Sequence, residues 1–455
     1  MTTIAKERQE GLGPYLAIFE RFEERVGGPE WLSPVRKAAM ARAMKLGFPT
    51  TRLEDWKFTN VAPIARTEFD FRDPHARVEA ADLEPYRFPD LPATRLVFVN
   101  GRYDADLSDP IESPRGAIIG SLSVALQSEP ELVERHLARH LDFEDEFFSA
   151  LNTAFIEDGG FVYVPKGVVL ERPVHLLFVS TEADRPTMSH PRNLIVVEDV
   201  AQAAVAEEYV SLGGREYFSN VASELVAGES AVVEHYVIER ESTGAYNVGT
   251  LRIQQGRASN VSSHTVLLGG ALVRNNIHPV LAGEGAHCMI NGLFMPRGTQ
   301  HMDNFMRVEH AAPFCDSRQF YNGILDDKGR GVFSGRIVVH KPAQKTDAKQ
   351  TNRNLLLSDD ASVDSKPQLE IYADDVKCTH GATIGQLDTD AIFYLRARGL
   401  PDDLARALLL FGFAAESLDR IKLEELRRYV VDLVTDRLPR GTTLKELSWG
   451  DGRAG

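Results

Sequence analysis

From Phe161 to about Gly385 the chain offers short β-rich runs and almost no helical period. FVYVP from Phe161, LIVVE from Leu194, AVVEHYVIE from Ala231, GTLRIQQG from Gly249, GRIVVHKP from Gly335 and QLEIYADD from Gln368 are examples. Few folds absorb so many strands in one unit. Either hairpins build a sandwich or barrel, or successive coils lay their strands parallel to those of the coil below. Hairpins favour Asn-Gly or Asp-Gly links, and within this region only Asn291-Gly292 and Asn322-Gly323 supply them. The strands are separated instead by polar corners such as AGES at Ala227, AGEG at Ala282, LDDKGRG at Leu325 and LSDDAS at Leu357. Their loose recurrence fits an irregular coil of roughly 20 to 30 residues. The expected fold class is therefore mainly β, a right-handed parallel β-helix flanked by N-terminal and C-terminal helical segments.

The flanks divide the chain into residues 1–155, mainly helical, 156–389, the β-helix core, and 390–455, helical again. Tyr15, Phe19, Phe22 and Val26 recur at helical spacing ahead of Gly27-Gly28. A second helix is expected with Ser33 as N-cap, Pro34 in its first turn and Gly47 just past its end. TRLEDWKFTNVAPI, from Thr51, reads as an irregular connection whose Trp56 and Phe58 anchor it on a core. LVFVNGRYD, from Leu96, reads as a strand that turns at Asn100-Gly101. Near the other end, Leu404, Leu408, Phe411 and Ala415 form one helical stripe, which Leu409, Leu410 and Phe413 widen around most of the circumference. Such a helix must be covered, by its own chain or by another protein. The next segment carries a narrower stripe of Leu423, Leu426, Val430, Leu433 and Val434.

The 455 residues hold 51 Lys and Arg against 66 Asp and Glu, a net charge of −15. That balance disfavours nucleic acid and anionic lipid as partners, because both attract concentrated positive charge. MTTIAKERQEGLGPY lacks the pattern of a secretory signal, and no stretch approaches the roughly 18 apolar residues of a membrane span; a cytoplasmic protein is expected. No Gly-Lys dipeptide, GxSxG, HExxH or GxGxxG occurs, so neither a Walker A loop nor a common hydrolase or dinucleotide site is encoded. The chain is expected to be no enzyme.

Cys288, Cys315 and Cys378 are too few and too scattered for a disulfide framework or zinc ribbon. His287 and Cys288 are adjacent in a strand-like run, which sends them to opposite faces. Cys378 and His380, in KCTHG, stand two apart. In a strand that spacing places both on one face, roughly 6.5–7 Å apart at Cα. Thiolate and imidazole together suit zinc or iron–sulfur species, yet two ligands do not close a site. Metal ligation, a nucleophile with its base, and plain burial all remain compatible with the pair.

GILDDKGRGVFSGRIVVHKPAQKTDAKQTNRNLLLSDDASVDSKPQLEIYADDVKCTHGATIGQLD, from Gly323, resembles the carboxy-terminal signature of the SufB/SufD family of the SUF iron–sulfur cluster assembly system. The resemblance extends to RLEDWKFTNV near Arg52, ALNTAFIEDGGFVYVPKGVVLERPV near Ala150 and YLRARGLPDDLARALLLFGFAAE near Tyr394. His380 followed by Gly381 is similar to the SufD branch of that family, whereas the SufB branch carries His-Glu-Ala there. The resemblance implies a right-handed parallel β-helix that acts as a non-ATPase scaffold. It would pair with SufB along the β-helix and dock the SufC ATPase through its C-terminal helices, with Leu404, Leu408, Leu409, Phe411 and Phe413 as contact residues. It further implies a transient iron–sulfur cluster or iron at the SufB interface, with His380 as a ligand and Cys378 beside it. Reduced flavin accompanies some complexes of the family, and a homodimer is expected as an option when SufB is absent. The alternatives are a purely structural partner that stabilises SufB and recruits SufC, and a β-helix enzyme acting on polysaccharides.

Overall fold

A computed structural model describes residues 12–71, 77–111, 114–141 and 143–439. Its centre is a stack of parallel strands that alternate between two sheets, ten strands in one and eleven in the other among those residues. From Arg192–Val197 onward each strand pairs with the one two places along the chain, so consecutive strands lie in opposite sheets and one coil closes every second strand. In the regular part of the stack, paired residues lie from 26 apart (Tyr246 and Leu272) to 32 apart (Arg330 and Ser362). The parallel β-helix expected from the strand runs is present, with coils slightly longer than the corners suggest.

The coil repeat is set by backbone conformation. Val200, Ser230, Ala258, Gly285, Phe314 and Lys345 occupy successive corners with φ between 52° and 70°. The N–H of each reaches the next coil: Ser230 donates to the Arg257 carbonyl, Ala258 to Glu284, Phe314 to Gln344 and Lys345 to Asp375. A left-handed residue with a side chain costs roughly 1–2 kcal/mol, and these ladder bonds oppose that cost. Val200, β-branched and exposed, bears the most unfavourable side chain for φ 57°. Val200→Gly is expected to raise the urea midpoint, equivalent to about 1 kcal/mol; an unchanged or lower midpoint would show that the corner is not strained.

Asn291-Gly292 and Asn322-Gly323 are not hairpin links. Both lie inside strands, His287–Phe294 and Asp316–Leu325. Glycine is there for space: a Cβ on Gly292 would stand 2.1 Å from the Tyr321 ring, and one on Gly323 would stand 2.5 Å from the Phe294 ring. Large and small residues thus face each other between coils in two neighbouring interior columns. Asn100-Gly101 does turn a hairpin, between the antiparallel strands Thr94–Val99 and Arg102–Asp104.

Both outer faces of the stack are covered, which is why the central strands are buried almost continuously along their length. On one face lie the helices Gly13–Arg25, Leu32–Leu46 and Phe147–Ala154. Their core of Tyr15, Phe19, Phe22, Phe48 and Phe155 packs against Phe218 and Val248. Ser33 is inside its helix instead of capping it, and its hydroxyl donates to Glu23 at 2.8 Å. The LEDWKFT connection crosses four coils like a strap: Glu54 pairs with Lys366, Asp55 with Arg336 at 3.0 Å, Trp56 stacks on Arg274, and Thr59 meets His301 at 2.9 Å. The strands Thr94–Val99 and Ile118–Ser121, which precede residue 156, extend the two sheets of the stack.

The other face carries the helices Asp402–Leu418 and Glu424–Thr435. The buried stripe of the first is Ala407, Leu410, Ala414 and Leu418, set on Ile238, Val266, Leu293 and Ile324. This corrects the expected stripe of Leu404, Leu408, Phe411 and Ala415. Small residues allow closer approach to the sheet, so alanines face inward and the large side chains flank them. In the second helix Tyr429 donates to Glu208 at 2.7 Å, and Glu208 also forms ion pairs with Arg240 and His175.

Candidate functional site

The strand Lys377–Gly385 ends the stack. It pairs with Asp347–Leu356 on one side and with nothing among the described residues on the other. Cys378, His380, Ala382 and Ile384 stand in register with Ala348, Gln350, Asn352 and Asn354, all buried, so these four side chains face into the coil. Opposite them, Val363, Ser365, Pro367 and Leu369 are in register with the interior residues Gly331, Phe333, Gly335 and Ile337. Among the described residues no later coil roofs this set, which leaves an open mouth at the end of the β-helix.

Cys378 and His380 therefore share one face, as their spacing predicts, but their surroundings differ. Cys378 is half-buried beside Ala348, Val339, Leu369 and Val376. Burial pushes its thiol up, and Asp347 adds to the shift, so Cys378 is protonated near neutral pH unless a metal displaces the proton. His380 is exposed. Beneath it the interior is polar, with Gln350, Asn352, Asn354 and Ser365. Asn352 takes the Ser365 hydroxyl at 2.8 Å and the Asn354 amide at 2.7 Å.

The remaining histidines of the β-rich region have partners. His235 pairs with Glu207 at 3.1 Å, His264 meets Asn291 at 3.3 Å, His310 meets Ser317 at 2.9 Å and His340 meets Glu309 at 3.2 Å. His287 pairs with Asp316, and His278 lies 3.7 Å from Glu146. Burial drives His264 down to about 3 and His310 down to about 4, so both are neutral structural groups. Cys288 and Cys315 are buried, with their thiols raised by burial. Among the described residues no group of three or more His, Cys, Asp or Glu is arranged to hold a metal ion.

The interior also holds carboxyls that composition alone could not locate. Glu241 accepts from Tyr217 and Ser219, both at 3.0 Å, and from Asn247 at 2.7 Å. Burial pushes it up to about 7; burial and then the Glu241 charge push Glu239 up to about 8. A carboxyl raised above its unfolded value of about 4.3 favours the folded state below that value and loses this contribution as pH rises through the folded one. The buried neutral histidines act in the opposite sense, but only below about pH 6.5. Between about pH 6.5 and 8 the carboxyls dominate, so the melting temperature is expected to fall as pH rises. Glu239→Gln with Glu241→Gln should flatten that slope; a slope that persists in the double variant would rule these groups out.

The residues expected to dock a partner, Leu404, Leu408, Leu409, Phe411 and Phe413, are each only partly buried. Leu404, Leu408, Phe411 and Phe413 flank the helix–sheet core. The preceding helix, Thr389–Ala397, carries two exposed aromatics, Phe393 at 72 % and Tyr394 at 56 %. Phe393 lines a depression of about 540 Å³ with Arg396, Leu400 and Asp402. Sequence reasoning passed over this pair, since two aromatics in a short helix have no distinctive spacing. No helix among the described residues is long and apolar enough to cross a membrane.

Comparison with known proteins places this geometry in a family. Residues 178–413 match the family described as SUF system FeS cluster assembly, SufBD core domain, and residues 13–176 match the SufBD protein N-terminal region. An iron-sulfur cluster assembly SufBD family protein of Synechocystis sp. is 35 % identical, covering 86 % of this chain and 88 % of that one. The iron-sulfur cluster assembly protein SufD of Escherichia coli is 32 % identical over 90 % of this chain and 94 % of its own. SufD of Bacillus subtilis is 27 % identical over 93 % and 98 %. Two of these relatives carry the name of the branch that the His380-Gly381 form resembles. A β-helix with helices on both faces, matched over residues 13–176 and 178–413 by the N-terminal and core descriptions of one family, leaves a single reading of its kinship: the chain belongs to the SufBD family of the SUF iron–sulfur cluster assembly system.

Proposed function

We propose that this chain is a non-ATPase scaffold subunit that pairs with SufB at the end of its β-helix and offers His380 to iron or a nascent iron–sulfur cluster at the seam. The observation that carries the reading is the placement of His380 and Cys378 on the inward face of the last, unroofed strand. An unpaired strand edge invites strand addition by another chain, and natural proteins cover such edges. A cluster held there draws ligands from both subunits. Incomplete coordination suits a scaffold, because a closed tetrahedral site would retain its cargo. Cys378 is the weaker donor, since iron must first displace its proton against apolar surroundings. ATP hydrolysis belongs to SufC, which docks on the C-terminal helical segment. Phe393 and Tyr394 are the anchors best suited to that contact, with Leu404, Leu408, Leu409, Phe411 and Phe413 supporting them from the helix behind. Tyr429, hydrogen-bonded to buried Glu208, ties the last helix to the sheet and gives a movement of SufC a rigid path into the β-helix.

The test is His380→Ala in the co-purified complex with SufB and SufC, assembled without oxygen. Iron and acid-labile sulfide per complex should fall several-fold while subunit stoichiometry is kept. Equal loading by the variant and the parent would instead leave a purely structural role in holding SufB and SufC.

A further inference from the structure

Gln350 lies one coil beneath His380, in register with it on the inward face, and is fully buried. Its amide donates to Gln319 Oε1 at 2.7 Å, while its own Oε1 has no partner among the described residues. The side chain crosses the interior to the opposite sheet. There a Cβ on Gly335 would stand 2.1 Å from its Nε2 and 3.1 Å from its Oε1. Gly335 thus leaves a slot that the Gln350 amide fills.

A buried acceptor without a donor costs about 1–3 kcal/mol, and an orphan of this kind calls for an explanation. The side chains that face the mouth around it narrow the choice of donor. Pro367, in register with Gly335, has no N–H. The Ser365 hydroxyl is already given to Asn352. His380 stands directly above, on a strand about 4.8 Å away, where in-register side chains on one face are neighbours. Its neutral ring offers one N–H and one lone pair.

We propose that the His380 ring turns inward and donates its N–H to Gln350 Oε1, which fixes the tautomer and leaves the other ring nitrogen facing the mouth as the iron-binding lone pair. The inference rests on the reading of His380 as a ligand. Gln350 is then a positioning residue: it sets which nitrogen carries the proton and how the ring is aimed, as outer partners of metal-bound imidazoles generally do. Gln319 holds the amide from behind, and Gly335 keeps the slot open.

The full-length chain, labelled with ¹⁵N in histidine, provides the test at about pH 8, where an ordinary imidazole is neutral. The His380 signal is identified by its loss in His380→Asn, and long-range ¹H–¹⁵N correlations separate the two tautomers. We expect one tautomer in the parent, a mixture in Gln350→Leu, and a single tautomer again in Gln350→Glu, whose carboxylate restores the acceptor. A mixture already in the parent, or a ring indifferent to Gln350→Leu, would overturn the proposal while leaving the ligand reading intact. If the leucine variant does not fold, the parent spectrum decides. Unchanged iron in the His380→Ala complex would overturn the ligand reading, and with it the orienting role, even where the hydrogen bond is found.

Discussion

Gly283→Ala is expected to lower stability by about 3 kcal/mol or more, the upper end for overpacking a tight site. Gly283 is one of a ladder of corner glycines with Gly228 and Gly256, whose N–H groups donate to Gln255, Val197 and Ala227 carbonyls respectively. A Cβ on Gly283 would stand 2.1 Å from the Arg257 nitrogen and 2.3 Å from the Gly256 carbonyl carbon. Both are backbone atoms of the coil below, so no side chain can swing aside, and the coils would have to separate. Two residues on, Gly285 has φ 70° and open space where a Cβ would go. Gly285→Ala adds only left-handed strain, about 1 kcal/mol. Urea unfolding of both variants separates steric exclusion from strain. Equal midpoints would show that the coils tolerate spreading at this corner.

Arg192→Ala should cost about 3–5 kcal/mol, the range for removing one partner of a buried ion pair. Arg192 and Glu224 are both fully buried and 2.6 Å apart. Arg192 also donates to Asn152 and Thr153 of the covering helix, at 3.0 and 3.2 Å. Glu224 accepts from the backbone of Ala138, His140 and Leu141. Burial by itself would raise the Glu224 carboxyl, but Arg192 and those backbone donors outweigh it and hold the group below its usual range. In the parent this contribution is present above the unfolded value of about 4.3 and is lost as pH falls through the lower folded one. Without Arg192 the balance reverses, and protonation relieves the buried charge. The variant's deficit should therefore be larger at pH 8 than at pH 5, and Glu224→Gln in the same chain should restore part of it. A deficit independent of pH would mean that the loss comes from packing alone.

How far the fold could be read in advance depends on how far apart the interacting residues are. Strand runs and the flanking helices are local, and Tyr15, Phe19 and Phe22 bury the face their spacing predicts. The corners AGES and AGEG were visible too, because backbone contact between coils demands glycine at Gly228 and Gly283. The left-handed corners were invisible: Val200, Ser230, Ala258, Phe314 and Lys345 share a φ but no residue type, since an N–H bond to the next coil supports the conformation whatever the side chain. Asn291-Gly292 misled for a related reason. Its glycine answers the Tyr321 ring in the next coil, and no local rule shows that partner.

The candidate site divides in the same way. KCTHG alone determined that Cys378 and His380 share a face, because side chains alternate along a strand. Stacking decided the rest. Gln350, Gln319 and Gly335 meet beneath His380 only because coils about thirty residues long bring distant positions into register. Which coil comes last, and so which inward side chains lie open at the end of the helix, follows from where pairing stops, a property of the whole stack. The same holds for the helix Asp402–Leu418: its sequence required a cover for an apolar surface wider than one stripe, and contact with the sheet chose the alanine-rich side, where the backbones approach most closely.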